Sequence, residues 1–459
     1  MIARFAYTLL WWLALPFLPV RLWWRGRREP LYRSRIGERF GRYAGAACAV
    51  GNDVLWIHAV SVGETRAVAP LIERLVRENP RRTILLTHMT ATGREAGRAL
   101  FGNRVAQAWL PYDIPFAVRR FLTHFHPRAG LLVETELWPN LTAAAARSGM
   151  PLLLINARLS ERSARGYSRI APLARPLVRA LAGVAAQTPE DADRLRALGA
   201  REIVVTGNLK FDVGIPSAMH DRGRVLRGNF GIDRRVLVLA STRDGEEALL
   251  LDALARATLP SGALVVIVPR HPQRFDTVAA LLIERRLAFA RRSEDSSVPA
   301  DIDVVLGDSM GEMFAYYTAA DVAFVGGSLL PLGGQNLIEP IAAGVPTLVG
   351  PHTFNFAQVS DAAVAAGAAL RVQDADELFS VANGLLANAA SRERMRVNAE
   401  AFVSAHRGAV DRVWQWLAPR IDSAPNHPEP AIGGPKPVSP ATADSRSRDP
   451  ARRVPRPPT

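Results

Sequence analysis

Acidic side chains that directly follow apolar runs are the residues in this sequence best suited to proton transfer. Glu64, in the segment WIHAVSVGET, follows a predicted strand and opens a predicted helix, where its carboxylate could take a proton from a hydroxyl group. Ser61 stands three residues earlier, at the spacing of a capping box, so the same acid could instead cap the helix. The sequence leaves both roles open.

A second acidic pair and a lysine also stand at the ends of predicted strands. Glu134 and Glu136, in VETELWPN, close a strand at positions where two carboxylates have little packing purpose. Lys210, in GNLKFD, is a natural partner for an anionic group, although most lysines are simply surface residues. These residues could stabilise charge in a transition state or position one another.

Two segments in the second half of the chain have residue types that suit an anionic nucleotide. Arg270 and His271 follow the apolar run LVVIVP directly and could bind a phosphate or a carboxylate. Capping of the next helix is the alternative. The segment GDSMGE, residues 307–312, offers backbone N–H groups at another predicted helix start.

Residues 321–356 predict a strand, a glycine loop, a helix and a second strand. Asn336 and Glu339 are spaced as an N-cap and its reciprocal acid, which places a helix N-terminus directly after two glycines. Glycines let backbone N–H groups approach a phosphate closely, and Glu339 suits the two hydroxyls of a ribose. Ordinary turn glycines in a crossover between parallel strands are the alternative.

Alternating predicted strands and helices from Val54 onward must position these residues. Such alternation specifies a parallel sheet with helices on both faces, and ligands bind such sheets at the carboxyl ends of the strands. A second alternating series follows residues 216–231, a polar stretch that we interpret as the passage between domains. The sequence therefore predicts two tandem Rossmann-like, doubly wound α/β domains, residues 29–215 and 216–420, as in GT-B glycosyltransferases.

The two ends of the chain differ from these domains. Residues 1–28 contain an apolar run with tryptophans near its ends and arginines after it, which predicts a membrane anchor that spans the bilayer or lies in its interface. A buried core helix is the alternative. The basic segment 31–43 is predicted to be a solvated linker or a contact for lipid phosphates. Residues 421–459 lack apolar periodicity and predict a disordered tail.

The charge balance limits the classes of partner. The 459 residues carry a formal net charge of +14, which favours an anionic membrane surface, a phosphorylated substrate or nucleic acid. We rank nucleic acid low because no zinc-finger spacing or RNA-binding aromatic signature is present. The single cysteine, Cys48, excludes an internal disulfide framework. No set of residues has convincing metal-ligand spacing, so we predict neither a metal nor a cofactor.

Taken together, these motifs resemble those of the Kdo transferases, the 3-deoxy-D-manno-octulosonic acid transferases of lipopolysaccharide synthesis. The resemblance extends to about residue 415 and rests on the motifs RIGERFG, HAVSVGET, LPYD, ETELWPNL, NARLS, TGNLKFD, VPRHPQRF, GDSMGEM, GGQNLIEP and GPHTFNF. It implies an enzyme on the cytoplasmic face of the inner membrane of a Gram-negative bacterium. Such an enzyme transfers Kdo with inversion from CMP-Kdo to a lipid A precursor such as lipid IVA.

The resemblance also implies roles for individual residues. Glu64 would be the catalytic base, and Glu134 and Lys210 would stabilise the transition state. The residues implied to bind CMP are Arg270, His271, Met310, Gly311, Glu312, Asn336, Leu337, Ile338 and Glu339.

The sequence departs from the family pattern in two segments. Gln335 and Arg243-Asp244 stand where the family usually has His and His-Glu, which affects the expected donor contacts. A nucleotide-sugar epimerase of the same fold and a catalytically silent nucleotide-sugar binder are the rival functions.

Overall fold

Two parallel β-sheets of seven strands each form the frame of the protein in the computed structural model, which describes residues 2–27, 29–44, 53–214, 216–294 and 297–423. The first sheet consists of β1 (Val54–His58), β2 (Thr83–His88), β3 (Ala106–Trp109), β4 (Ala129–Val133), β5 (Leu152–Ala157), β6 (Gly183–Ala186) and β7 (Ile203–Val205). Its strand order is β3-β2-β1-β4-β5-β6-β7, and every neighbouring pair is parallel.

The second sheet repeats this plan. Its strands are β8 (Val236–Thr242), β9 (Leu264–Pro269), β10 (Phe289–Arg291), β11 (Val304–Leu306), β12 (Val322–Val325), β13 (Thr347–Val349) and β14 (Ala369–Arg371). The order β10-β11-β9-β8-β12-β13-β14 again contains parallel pairs throughout. The chain order reverses between β1 and β4 in the first sheet and between β8 and β12 in the second. These reversals are the switch points at which doubly wound sheets bind ligands, and they confirm the predicted fold class.

The central strands are buried along their whole length, because helices cover both faces of each sheet. Among the described residues up to 214, the helices are α1 (Ile2–Ala14), α2 (Leu18–Arg25), α3 (Val62–Glu78), α4 (Ala91–Phe101), α5 (Pro115–Phe125), α6 (Pro139–Ser148), α7 (Glu161–Arg169), α8 (Ala171–Arg179) and α9 (Pro189–Leu198). Among those from 216 onward they are α10 (Ser217–Phe230), α11 (Glu246–Leu254), α12 (Phe275–Glu284), α13 (Met313–Ala319), α14 (Ile338–Ala342), α15 (Ala357–Ala365), α16 (Ala375–Ala387), α17 (Ala389–His406) and α18 (Ala409–Asp422).

Residues 216–231, interpreted from the sequence as the passage between the domains, have regular local structure. These residues form helix α10, whose Leu226 and Phe230 are buried in the core of the second sheet. Gly223 of this helix lies directly against Thr318 of α13. The polar residues on which that interpretation rested lie mostly on the exposed face of the helix.

The last described helix returns to the first sheet. Ala409, Val413 and Leu417 of α18 lie in the core formed by β1, β2, β4 and α3, although the sequence assigns them to the second domain. Asp212 accepts hydrogen bonds from the backbone N–H groups at the start of this helix, Gly408 (2.7 Å) and Val410 (2.6 Å). The predicted tail begins within α18, and its residues 424–459 lie outside the described residues, as does Cys48.

The segment 31–43, predicted to be a solvated linker, is instead built into the core. The side chains of Glu38 and Arg39 are both buried, and the Arg39 guanidinium lies 4.0 Å from the centre of the Trp109 ring. The carboxylate of Glu38 accepts hydrogen bonds from Nη1 of Arg94 (3.0 Å) and from the backbone N–H of Trp109 (2.9 Å). This buried ion pair joins the N-terminal segment to α4 and to the end of β3.

We predict that Glu38→Ala lowers the free energy of unfolding by about 3 kcal/mol or more, because it leaves the Arg94 charge buried without its acidic partner. Urea unfolding monitored by tryptophan fluorescence measures this change as a lower midpoint. Glu73→Ala is the matched control, since Glu73 also binds an arginine, Arg104, but on the exposed surface. Equal losses in the two variants would contradict a special role for the buried pair.

Candidate active site

The switch point of the first sheet brings two predicted catalytic acids together. Glu64 stands in the first turn of α3, directly after β1, and Glu134 follows β4, the strand that pairs with β1. Glu134 has a left-handed backbone (φ 63°), a conformation that non-glycine residues adopt at an energetic cost. Its N–H donates to the carbonyl oxygen of Ile155 at 2.9 Å, which fixes this strained turn beside β5.

Glu64 makes the contacts of a helix cap and also has the electrostatics of a base. Its carboxylate accepts hydrogen bonds from the N–H of Val60 (2.6 Å) and the hydroxyl of Ser61 (2.9 Å). Burial, together with the charges of Glu134 and Glu136, raises the pKa of Glu64 to about 8 against the lowering effect of these two hydrogen bonds. A carboxylate oxygen has two lone pairs, so capping leaves acceptor capacity for a substrate proton. The two interpretations of Glu64 are therefore compatible.

Lys210 and Glu134 form a partly buried ion pair. Nζ of Lys210 donates to Oε1 of Glu134 at 2.7 Å, and the two residues are 76 positions apart in sequence. Nζ also lies 5.4 Å from the centre of the Phe356 ring, which belongs to the second half of the chain. The pair thus stands where segments from both halves meet.

Lysine is a rare residue type in this protein, which makes its presence at this site informative. Lys210 and Lys436 are the only lysines in the chain. All the other residues in its Lys and Arg total are arginines. Two asparagines hold the turn that carries Lys210: Asn156 Oδ1 accepts from Leu209 N (3.0 Å), and Asn208 Oδ1 accepts from Lys210 N (3.0 Å). Sequence reasoning noted the NARLS motif but did not assign Asn156 this positioning role.

Glu136 is the third acid of this group. Burial, together with the charge of Glu134, raises its pKa to about 7. Glu136 borders an apolar cavity of about 310 Å³ that is also lined by Tyr7, Tyr167 and Ile170. An apolar chain therefore has space directly beside the acidic group.

In the second sheet, Arg270 and His271 follow β9 at the carboxyl edge. The N–H of Arg270 donates to the carbonyl oxygen of Thr242 at 2.9 Å, which ties this turn to the end of β8. His271 precedes the short helical turn Pro272–Arg274, but its side chain makes no capping hydrogen bond there. Burial lowers the pKa of His271, and the positive charges of Arg243 and Arg270 lower it further. Two guanidinium groups therefore lie close to the His271 side chain.

The glycine loop differs from its prediction. Leu337, not Asn336, stands at the N-cap position of α14 and has no side-chain capping bond; Asn336 Oδ1 accepts from Ile338 N at 3.2 Å instead. Buried Glu246 accepts hydrogen bonds from the N–H groups of Gly327 (2.5 Å) and Leu329 (3.0 Å). The second glycine pair is engaged as well, because the N–H groups of Gly334 and Gln335 donate to the carbonyl oxygens of Gly327 (2.6 Å) and Gly326 (3.1 Å). These four N–H groups already have partners within the protein, so they do not form the phosphate cradle that the glycine spacing suggested.

Glu339 connects the two halves of the site electrostatically. Nδ2 of Asn336 donates to its Oε1 at 3.1 Å. Burial raises the pKa of Glu339, while the charges of Arg66, Arg270 and Lys210 oppose that increase. Arg66 and Lys210 belong to the first half of the chain and Arg270 to the second, so cations from both sides face one acid. Sequence reasoning missed Arg66, although it stands two residues after Glu64.

The segment with Met310, Gly311 and Glu312 stands just before α13. Met310 is 56% exposed, and Gly311 has a positive φ of 81°. The Glu312 carboxylate is buried and forms ion pairs with Arg222 and with Arg292 (3.3 Å). Its side chain is engaged within the protein, which leaves the backbone of this turn as the part available to a nucleotide.

A larger cavity of about 870 Å³ lies between α1 and the helices α5 and α6. Its apolar lining includes Phe5, Trp12 and Phe116, and three arginines line it as well: Arg4, Arg119 and Arg147. None of the three forms an ion pair with an acid of the described residues. The cavity thus combines apolar surface with uncompensated positive charge, as an anionic amphiphile requires.

Comparison with known proteins places these features in a family. Residues 34–213 match the family model described as 3-deoxy-D-manno-octulosonic-acid transferase (kdotransferase). A 3-deoxy-D-manno-octulosonic acid transferase from Bordetella pertussis is 47% identical over 430 residues, covering 90% of this chain and 99% of the relative. The corresponding enzyme from Haemophilus influenzae is 36% identical over 424 residues, covering 91% and 99%.

A solved structure with low sequence identity shows the same fold. The UDP-GlcNAc 2-epimerase from Neisseria meningitidis, bound to UDP-GlcNAc, superposes with a TM-score of 0.52 at 15% identity. The match covers 80% of this chain and 100% of that chain. The likeness concerns the arrangement of two doubly wound domains.

Proposed function

The chain belongs to the Kdo transferase family of glycosyltransferases, and from this premise we propose that it moves Kdo from CMP-Kdo to a lipid A precursor such as lipid IVA, with inversion at the anomeric carbon. The observation that carries the mechanistic part is Glu64, whose pKa is raised to about 8 beside the Lys210–Glu134 pair. A base with a pKa near the working pH is suited to accept a proton from a sugar hydroxyl.

In this mechanism Glu64 takes the proton of the acceptor hydroxyl as its oxygen attacks the anomeric carbon of Kdo. The bond from that carbon to the phosphate oxygen breaks, and CMP leaves with the bonding electrons. Arg270 and His271 face the charge that grows on the phosphate, while Glu134 and Lys210 stabilise the transition state. Attack from the face opposite to CMP inverts the anomeric centre.

We assign the CMP moiety to the second sheet. Arg270 and His271 meet its phosphate, and the turn with Met310, Gly311 and Glu312 offers backbone groups to the nucleotide. The segment Asn336, Leu337, Ile338 and Glu339 completes the site, with Glu339 accepting from the ribose hydroxyls. In support, Glu339 is held by Asn336 and lies in the field of Arg270.

Direct transfer assays test this function. The purified protein with CMP-Kdo and lipid IVA in detergent is expected to release CMP and form a Kdo-bearing lipid, detected by mass spectrometry. Nuclear magnetic resonance of the product reports the anomeric configuration. A wild type that binds CMP but transfers no Kdo would overturn the proposed donor and acceptor.

We also propose that the N-terminal segment lies in the interface of the inner membrane, on its cytoplasmic face. Helical residues Ile2–Arg25 are long and apolar enough to cross a membrane. However, Leu18 and Leu22 pack in a core with Trp109 and Tyr112 of the first domain, so one face of the segment is occupied. The other face exposes large apolar side chains, as in helices that lie in a membrane surface: Phe5, Leu10, Leu13, Phe17, Val20, Trp23 and Trp24.

The cavity beside α1 supports the same orientation. Its three arginines stand next to this exposed apolar face and suit the phosphates of an acceptor lipid or of the bilayer. The apolar cavity beside Glu136 lies nearer to the acidic group and has space for part of an acyl chain.

The double variant Leu13→Glu/Phe17→Glu is expected to reduce binding to vesicles of anionic phospholipid at least tenfold, since it places two charges on side chains that are 63% and 71% exposed. Vesicle flotation measures the bound fraction. Ile232→Glu is the matched control, because Ile232 is also exposed (69%) but lies before β8. Unchanged flotation of the double variant would contradict the interfacial orientation.

A further inference from the structure

Arg243 lies next to the proposed donor phosphate site, close to Arg270 and His271. It directly follows β8, and the carbonyl oxygen of the preceding Thr242 accepts the N–H of Arg270 at 2.9 Å. A Cβ atom built on Gly327 would lie 3.5 Å from Cγ of Arg243 and 3.1 Å from Nε2 of Gln335. Arg243 and Gln335 therefore flank the same point at the switch point of the second sheet.

Arg270 faces the carboxylate of Glu339, whereas Arg243 has no acidic partner among the described residues. The charges of both arginines lower the pKa of His271. The acids nearby are already engaged. Glu246 accepts backbone N–H groups, including that of Arg243 (3.0 Å), and Asp244 pairs with Arg274.

A ligand with two anionic groups would compensate this charge. Kdo is an acid, so the proposed donor has a carboxylate on the sugar as well as the phosphate of CMP. Arg270 and His271 are assigned to the phosphate, which leaves the second anion without a partner. A guanidinium matches a carboxylate with two parallel hydrogen bonds, and the Gln335 amide can donate another.

We propose that Arg243, assisted by Gln335, binds the carboxylate of the donor sugar and thereby selects CMP-linked acidic sugars over CMP alone. This inference rests on the proposed function and adds a specificity-determining residue to it. The carboxylate of the bound sugar would be held at the switch point, next to the phosphate that leaves with CMP.

The test separates the two anionic groups of the donor. Arg243→Gln is expected to raise the KM for CMP-Kdo about tenfold to a hundredfold, as for loss of a hydrogen bond to a charged group. The inhibition constant of CMP, which has no carboxylate, is expected to change by less than about twofold. Arg235→Gln is the matched control, because Arg235 is exposed and stands at the opposite, amino end of β8.

Two outcomes would overturn this inference. Equal weakening of CMP-Kdo and CMP would mean that Arg243 acts on the phosphate, and unchanged values for both would mean that it binds neither group. Calorimetry measures the affinities for CMP and CMP-Kdo without any transfer reaction. It therefore separates failure of the Arg243 assignment from failure of the proposed function. If the wild type transfers no Kdo but binds CMP-Kdo more tightly than CMP, and Arg243→Gln removes the difference, the carboxylate assignment stands.

Discussion

Glu64→Gln is expected to lower kcat for Kdo transfer about 10²- to 10⁴-fold, the range for loss of a general base. CMP binding is expected to remain within about twofold, because Glu64 belongs to the first sheet and the proposed CMP contacts to the second. Glutamine keeps the size of the side chain and an oxygen that can accept the N–H of Val60. Initial rates at saturating CMP-Kdo, with calorimetry for CMP, measure the two effects.

The pH profile distinguishes a base from a helix cap. Only ionised Glu64 can accept a proton, and its pKa is raised to about 8. The wild-type rate is therefore expected to rise about tenfold per pH unit below that pKa and to level off above it. The pKa of Glu136 is also raised and its charge acts on Glu64, so the observed midpoint belongs to this pair of acids.

Glu78→Gln is the matched control, since Glu78 is an exposed acid at the other end of α3. Full activity of Glu64→Gln, or a wild-type rate independent of pH between 6 and 9, would leave Glu64 with its capping role alone. The variant Glu134→Gln tests the direction in which Glu134 shifts the pKa of Glu64. The charge of Glu134 raises the pKa of Glu64, so its removal is expected to move the acidic limb of the profile to lower pH.

Lys210→Ala is expected to lower kcat about 10²- to 10³-fold, the range for loss of a group that stabilises transition-state charge. It removes the ammonium that lies 2.7 Å from Oε1 of Glu134 and leaves that carboxylate among two other acids without its partner. The KM for CMP-Kdo is expected to change much less than kcat. Steady-state kinetics of the purified variant measures both.

Lys210→Arg is expected to restore little of this activity, because the planar guanidinium cannot replace a compact ammonium in a partly buried pair. The composition supports this expectation. Arginine supplies nearly all the other positive side chains of the chain, so a lysine at this position is an exception. Arg201→Ala, an exposed cation of the same domain, is the matched control. Recovery of most of the activity by Lys210→Arg would show that only the positive charge is needed.

The sequence by itself determined the fold class and the edge of each sheet at which chemistry occurs. Continuous apolar runs alternate with capped helices, and both signals are local; the hydroxyl of Ser61, for example, accepts the N–H of Glu64 as its spacing indicates. Parallel strands place their carboxyl ends at one edge, so Glu64 and Glu134 were expected at the same place before any distance was known.

Only the tertiary structure decided what those residues are able to do. The pKa of Glu64 depends on burial and on charges some 70 positions away in the chain, and the partner of Lys210 is an acid that no local pattern identifies. The glycine loop shows the same limit, because its N–H groups bind Glu246, which is 81 residues distant from Gly327. Spacing indicates which groups can turn toward a ligand, but long-range packing decides which of them already have a partner.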